Sequence, residues 1–239
     1  MVEPCVTFDR ISIAHSEGFL LRNVSFQIEE KEFYFLTGAS GSGKTSLLRV
    51  IYMDLMPFEG AVTLFDKKTR GLNAKAKMTL RRRLGIVFQE NDFLPHLSIL
   101  ENVALPLHVR GFDARKALGH AEDLLAWMGV LVKPTQSVLT LSGGEKKRLA
   151  IARAVIGRPD VLIVDEPTGN LDEDTSLKIL ELLRRLNNDG MTVIMSTHNQ
   201  SFVHYLNKPE LRIENKGVML NMPYTEPQDL TVNKAARHV

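Results

Sequence analysis

Cysteine is nearly absent: Cys5 stands alone among 239 residues. One thiol makes no internal disulfide, which fits a reducing compartment. Long apolar runs are missing as well. A membrane-spanning helix needs roughly 18 to 20 apolar residues in a row, and the longest undisturbed runs, such as Val161–Val164, are strand-sized. Neither sign of charge dominates. Lys and Arg number 30 against 28 Asp and Glu, a formal net charge of +2, so bulk charge makes no case for nucleic-acid binding. Met1-Val2-Glu3-Pro4 lacks a basic stretch followed by an apolar one, Val2 rather than glycine follows Met1, and the closing Ala236-Arg237-His238-Val239 holds no cysteine. No secretory leader or lipid anchor is therefore expected. Residence at a membrane would depend on another protein.

What is present suits one large α/β domain with a well-filled core. Hydrophobic residues make up 44% and charged residues 24% of the chain, an ordinary globular balance. Val24, Phe26 and Ile28 alternate with Ser25 and Gln27, the pattern of a half-buried strand. Phe33–Leu36, Ile86–Phe88, Val161–Val164 and Val193–Met195 are continuously apolar, as in strands buried on both faces. Helical spacing fills the gaps: Leu47, Leu48 and Ile51 after a glycine-rich turn, then Ala114–Met128 with Ala117, Leu118, Ala121, Leu124 and Leu125 on one face, then Thr175–Leu186. Strands alternating with helices predict a mostly parallel sheet. From about Asn91 to Leu141 no strand is evident, which predicts a helical insertion. Leu211–Leu220, with a turn at Asn215-Lys216-Gly217, reads as a closing hairpin.

Three stretches carry chemistry. Gly38-Ala39-Ser40-Gly41-Ser42-Gly43-Lys44-Thr45 fits the phosphate-loop spacing, with a strand before it and a helix after it. Its glycines let N–H groups turn inward around phosphate oxygens, and the helix adds the positive end of its dipole. Lys44 is placed to reach the β- and γ-phosphates of a nucleotide, and the Thr45 hydroxyl to bind Mg²⁺. Val161–Val164 then delivers Asp165 and Glu166 at the end of a buried strand, the edge where open α/β sheets gather ligands. Asp165 is expected on Mg²⁺ and Glu166 on the attacking water. The third stretch, Leu141-Ser142-Gly143-Gly144-Glu145, opens the helix Leu149–Val155 and makes a second anion site in the same chain.

A phosphate loop together with that second grip resembles the ATPases of the ABC family. Further stretches match its motifs in order: Gln89 after Ile86-Val87-Phe88 as the Q-loop, Asn170-Leu171-Asp172 as the D-loop, and His198 after Met195-Ser196-Thr197 as the switch histidine. The resemblance covers roughly residues 5 to 220. It implies a phosphate-loop NTPase fold with a RecA-like parallel-sheet core, an antiparallel β subdomain and a helical insertion. The implied domain spans 1–220, with core 1–90 and 142–220, insertion at about 91–141, and a mobile tail at 221–239. The implied ligands are ATP and Mg²⁺. Gly38, Ser40, Gly41, Ser42, Gly43, Lys44, Thr45 and Ser46 would hold the nucleotide, with Thr45, Gln89 and Asp165 on the metal. Glu166, His198 and Gln89 would form the catalytic set. Ser142, Gly143 and Gly144 would grip the γ-phosphate bound by a second subunit, so that two ATP molecules are sandwiched in a head-to-tail homodimer. The family's adenine-stacking aromatic falls at His15, with Phe19 a second candidate. Lys146 and Lys147 stand where glutamines are common, in a first helical turn that disfavours positive charge.

Asp165-Glu166-Pro167-Thr168-Gly169-Asn170-Leu171-Asp172 resembles the branch holding FtsE, the lipoprotein-releasing LolD and the MacB-type macrolide exporters. Phe35–Gly38, Leu80–Gln89 and Asn102–Leu107 are most similar to FtsE. That resemblance implies a membrane partner like FtsX, residence at the cytoplasmic face of the inner membrane, and control of cell-wall hydrolases in division. A DNA-repair or translation ATPase would carry a coiled-coil insertion or a second ATPase domain. A non-catalytic module would not need Glu166, Gln89 and His198 together. The basic stretch Lys67, Lys68, Arg70, Lys75, Lys77 and Arg81–Arg83 reads as a solvated face, with anionic lipid headgroups its functional alternative.

Overall fold

The computed structural model describes residues 3–223 apart from 17, 91, 131, 132, 134 and 135. In chain order the elements are β1 (Pro4–His15), β2 (Gly18–Glu29), β3 (Phe33–Gly38), α1 (Lys44–Ile51), β4 (Glu59–Leu64), β5 (Lys67–Lys68), α2 (Ala74–Arg81), β6 (Leu84–Val87), α3 (Ile99–Val109), α4 (Ala114–Trp127), α5 (Gly143–Val155), β7 (Val161–Val164), α6 (Glu173–Asn188), β8 (Thr192–Ser196), α7 (Gln200–Leu206), β9 (Glu210–Glu214) and β10 (Gly217–Asn221).

They build two sheets. The larger has six strands in the order β10-β9-β3-β8-β7-β6, and the smaller four in the order β2-β1-β4-β5. Strands β6, β7, β8, β3 and β9 run parallel, and β10 closes the edge antiparallel to β9. Their apolar runs alternate between two cores, as the period of two demands. Phe33, Phe35, Leu162, Val164, Val193 and Met195 face the helical side with α3, α4, α5 and α6. Tyr34, Leu36, Val161, Ile163 and Ile194 face α1 and the small antiparallel sheet.

Strand β1 slips phase along its length. Val6 and Phe8 are buried, Asp9 and Arg10 are exposed, and burial resumes at Ile11 and Ile13. Arg10 adopts φ 46° where the pairing with β2 shifts register between Phe8 and Ile11, as a bulge does. Between β6 and α5 the described chain holds two helices and a short 3-10 turn, Val138–Thr140, with one isolated bridge, Ser98 to Ser137. Helix α3 begins on a capping box in which the Ser98 hydroxyl accepts from the Glu101 N–H and Glu101 returns the bond, a reciprocal use of orphan helix donors.

Several boundaries differ from expectation: α5 begins at Gly143 rather than Leu149, and Asn221, the first residue of the expected tail, closes β10. Strand β6 stops at Val87, and Phe88 leaves the ladder at 44% exposure to meet Tyr52 edge-on at 6.0 Å. The closing hairpin turns on Asn215 and Lys216 alone, both at positive φ, the two-residue geometry that matches strand twist. Gly217 already pairs with Glu214. The expected tail lies outside the described residues from 224 onward.

Candidate functional site

Three parallel strands end on one edge of the large sheet, and their last residues make the site. The loop after β3 wraps toward α1. Gly38 sits at φ 146°, and a Cβ there would lie 2.7 Å from Ser42 Oγ and 2.9 Å from Ile213 O, so the loop passes too close for any side chain. Gly43 caps α1 at φ 106°, a conformation that glycine adopts without strain. The Ser42 hydroxyl is buried with no hydrogen-bond partner. Lys44 Nζ folds back to donate to Gly38 O at 2.9 Å and Ala39 O at 3.2 Å.

β7 and β8 supply the opposite wall. Thr45 Oγ1 donates to Asp165 Oδ2 at 2.9 Å, and Ser196 Oγ donates to Asp165 Oδ1 at 2.5 Å. The same Ser196 oxygen accepts the Glu166 N–H at 2.8 Å. Glu166 bends out of the strand at φ 44°, and non-glycine residues in that region cluster at functional sites. Its carboxylate meets His198 Nδ1 at 3.0 Å and lies 3.7 Å from Lys44 Nζ. The surface between these groups is a cleft of about 1060 Å³, whose lining includes His15, Lys44, Thr45, Gln89, Glu166 and His198.

The predicted residues thus divide into groups. Ser40, Gly41, Gly43, Lys44, Thr45, Ser46, Gln89, Glu166, His198 and His15 line that cleft. Gly38 and Ser42 line an adjoining one with Phe19. Asp165 is buried beneath Thr45. His15, not Phe19, reaches the main cleft. Phe19 packs edge-on against Phe58 at 5.8 Å, with Arg22 over its ring. Ser142, Gly143 and Gly144 stand apart. Ser142 caps α5, accepting the Glu145 N–H and donating to Glu145 Oε2 at 2.6 Å. Hydrogen bonds from Ser142 hold the Glu145 carboxyl below its ordinary pKa. A Cβ on Gly144 would fall 2.4 Å from Thr175 Cγ2, so the start of α5 lies tight on the start of α6.

Sequence reasoning left two residues without a role. Ser196 bridges both strand-end acids, and its signal was a hydroxyl closing an apolar strand. Lys147 is 4% exposed, and its Nζ donates to Phe88 O at 3.2 Å and Gln89 O at 3.0 Å. Burial pushes its pKa below the ordinary lysine value, while the Asp165 charge pulls it back up. Of the basic stretch, Arg70, Arg81 and Arg83 are engaged with the fold, at Pro57 O, at Tyr52 O and Met53 O, and at Asp160. Lys67, Lys68 and Lys75 are exposed.

The geometry also bears on a metal. Thr45 and Asp165 set hard oxygen donors side by side. Among the described residues, no cluster of three or more His, Cys, Asp or Glu makes a metal cage. That donor set suits Mg²⁺, which takes one or two carboxylates and completes its shell with phosphate and water.

A glycine-rich phosphate loop facing acids at the ends of parallel strands defines the class: a phosphate-loop nucleoside triphosphatase. Comparison with known proteins narrows it. A family model described as ABC transporter matches residues 21–169. The cell division ATP-binding protein FtsE of Bacillus subtilis (strain 168) is 38% identical over 194 residues, covering 81% of this chain and 85% of that protein. The lipoprotein-releasing system ATP-binding protein LolD of Bordetella pertussis (strain Tohama I) is 35% identical over 218 residues, covering 89% and 94%. The dimeric post-hydrolysis structure of the ATP-binding cassette MJ0796, bound to ADP and Pi, superposes with a TM-score of 0.82 at 31% identity over 92% of this chain and 100% of that one. The chain belongs to the ABC transporter ATP-binding family, and it is the ATPase subunit of an ABC-type system, hydrolysing ATP to ADP and phosphate. No helix among the described residues is long and apolar enough to cross a membrane.

Proposed function

We propose that this ATPase is the motor of an FtsE-type complex. On ATP it forms a head-to-tail homodimer and relays a conformational change through an integral membrane partner resembling FtsX. That partner controls periplasmic regulators of cell-wall hydrolysis during bacterial division, and it holds the chain peripherally at the cytoplasmic face of the inner membrane. The observation that carries this reading is the 38% identity to FtsE, reinforced by Leu80–Gln89 and Asn102–Leu107. A second reading, the ATPase of a lipoprotein-releasing or macrolide-exporting transporter, is favoured by the longer span shared with LolD, 89% of this chain against 81% for FtsE.

In this reading residues 1–220 are one ATPase domain with its helical insertion at about 91–141. Lys44 leaves its carbonyl contacts for the β- and γ-phosphates, and the buried Ser42 hydroxyl and loop amides take phosphate oxygens. Thr45, Asp165 and Gln89 would hold Mg²⁺, which supplies neutralisation of the phosphate charge. Glu166 accepts the proton of the attacking water, positioned by His198 and by the Ser196 bond to its N–H. His198 then turns to the γ-phosphate. Ser142 and the amides of Gly143 and Gly144 grip the γ-phosphate of the ATP held by the other subunit. His15 lies against the adenine.

Copurification separates the two readings. Membranes solubilised gently and captured through this chain are expected to yield a partner with a periplasmic loop and no fused ATPase, and depletion is expected to block division. Recovery of a lipoprotein-release permease, with division intact on depletion, sinks the cell-division reading.

A further inference from the structure

Helix α5 carries a buried cation that the reaction as described does not use. Lys147 lies one turn into α5, and both of its hydrogen-bond acceptors are main-chain carbonyls, Phe88 O at 3.2 Å and Gln89 O at 3.0 Å. An ammonium withdrawn from water is costly unless its donors are satisfied, so its retention at 4% exposure implies that those two bonds are fixed. Their placement matters. The Phe88 carbonyl belongs to the peptide plane before the Gln89 Cα, and the Gln89 carbonyl to the plane after it. Holding both planes fixes the φ and ψ of one residue, and so the direction in which its side chain leaves the backbone. That residue is Gln89, which lines the nucleotide cleft. A second cation from the same helix repeats the device a few residues on. Arg153 Nη1 donates to Asp92 O at 2.6 Å, with the guanidinium stacked over Phe93 at 4.8 Å.

We propose that Lys147 is a positioning residue for ATP hydrolysis, clamping the two peptide planes that flank Gln89 to α5, the helix capped by Ser142. The clamp rests on the role given to Gln89 above. It makes the Q-loop and the start of α5 one mechanical unit, so that movement of either displaces the other.

The test compares Lys147→Met, which keeps the stem and removes the donors, with Lys147→Gln, which keeps two N–H donors. Gln89→Ala serves as reference. In nucleotide-free protein, the backbone amide order parameters at Gln89 and Glu90 are expected to fall from about 0.85 to below about 0.6 in Lys147→Met, while those of β7 keep their values. In the same variant kcat is expected to fall about tenfold with KM for ATP unchanged, and Lys147→Gln is expected to recover kcat to within about twofold and to restore the order parameters. Wild-type order parameters at both residues in a folded Lys147→Met protein overturn the proposal, as does equal loss in the Met and Gln variants. Gln89→Ala separates the two layers. A loss of turnover there beside an unaffected Lys147→Met overturns the clamp alone. Full turnover in Gln89→Ala overturns the role of Gln89 and the clamp with it.

Discussion

His198 Nδ1 lies 3.0 Å from Glu166 Oε2, and the two side chains differ sharply in freedom: 72% of the histidine is exposed against 14% of the glutamate. The carboxylate is enclosed by its surroundings, and the imidazole is the partner with room to turn. His198→Ala is therefore expected to lower kcat about 10²-fold, the scale of one lost preorganised donor, with a smaller effect on KM. Steady-state ATPase kinetics check this. Wild-type kcat would remove the histidine from the reaction.

Glu166→Gln keeps the shape of the side chain and loses the proton acceptor. Turnover is expected to fall about 10²- to 10⁴-fold, the usual range for a lost general base. Binding of ATP is expected to persist, so a dimer should accumulate on a sizing column in ATP. Retained turnover in this variant would mean that another group accepts the proton.

Ser142 offers a test of whether each site is shared between two chains. Aspartate is as good an N-cap as serine, so Ser142→Asp keeps α5 capped while setting a carboxylate against the incoming γ-phosphate. Gly144 is a poorer place for that charge, because its Cβ would meet Thr175 at 2.4 Å. Lys44→Ala and Ser142→Asp are each expected to fail to dimerise with ATP. Mixed together they form one site with both defects and one with neither, and ATP-dependent association returns in part. Absence of any rescue between two folded variants would place each site within a single chain.

Much of this site was legible because its geometry is written in backbone and in strand ends. Gly38, Gly41 and Gly43 mark the loop directly, and Val161–Val164 announces Asp165 and Glu166 by being too apolar to lie anywhere but inside the sheet. The rest was hidden for two reasons. In β1 the bulge at Arg10 moves the buried positions from Val6 and Phe8 to Ile11 and Ile13, so no single alternation runs through the strand. Lys147 looked like an ill-placed charge in a helix's first turn because the carbonyls that satisfy it lie 59 and 58 positions earlier in the chain. The places of His15 and Phe19 had the same character, because the contact of Phe19 with Phe58 joins residues 39 positions apart.

Cys5 gives a handle on unfolding. It is 1% exposed, its Sγ donates to Ile28 O, and burial pushes its thiol from 9.0 up to about 12. The native protein is expected to resist thiol alkylation at pH 8, with labelling at the rate of unfolding. The folded state holds this proton more tightly than the unfolded state. Its contribution to stability is thus complete below about pH 9 and drains away as pH climbs toward about 12. Denaturant titrations at pH 8 and pH 10, compared with Cys5→Ser, check the sign. Rapid alkylation under native conditions would contradict the burial.

Strand β3, which carries the phosphate loop, has β8 on one side and β9 on the other. Both neighbours come from far down the chain, beginning at Thr192 and Glu210. A growing polypeptide therefore completes its nucleotide loop long before that loop's strand has anything to pair with. Until Thr192 has left the ribosome, both edges of an apolar strand stand open, and such edges recruit foreign strands. The order of synthesis makes the C-terminal hairpin a finishing clasp. A chain cut after His198 would keep every residue assigned to the nucleotide and still leave one edge of β3 bare.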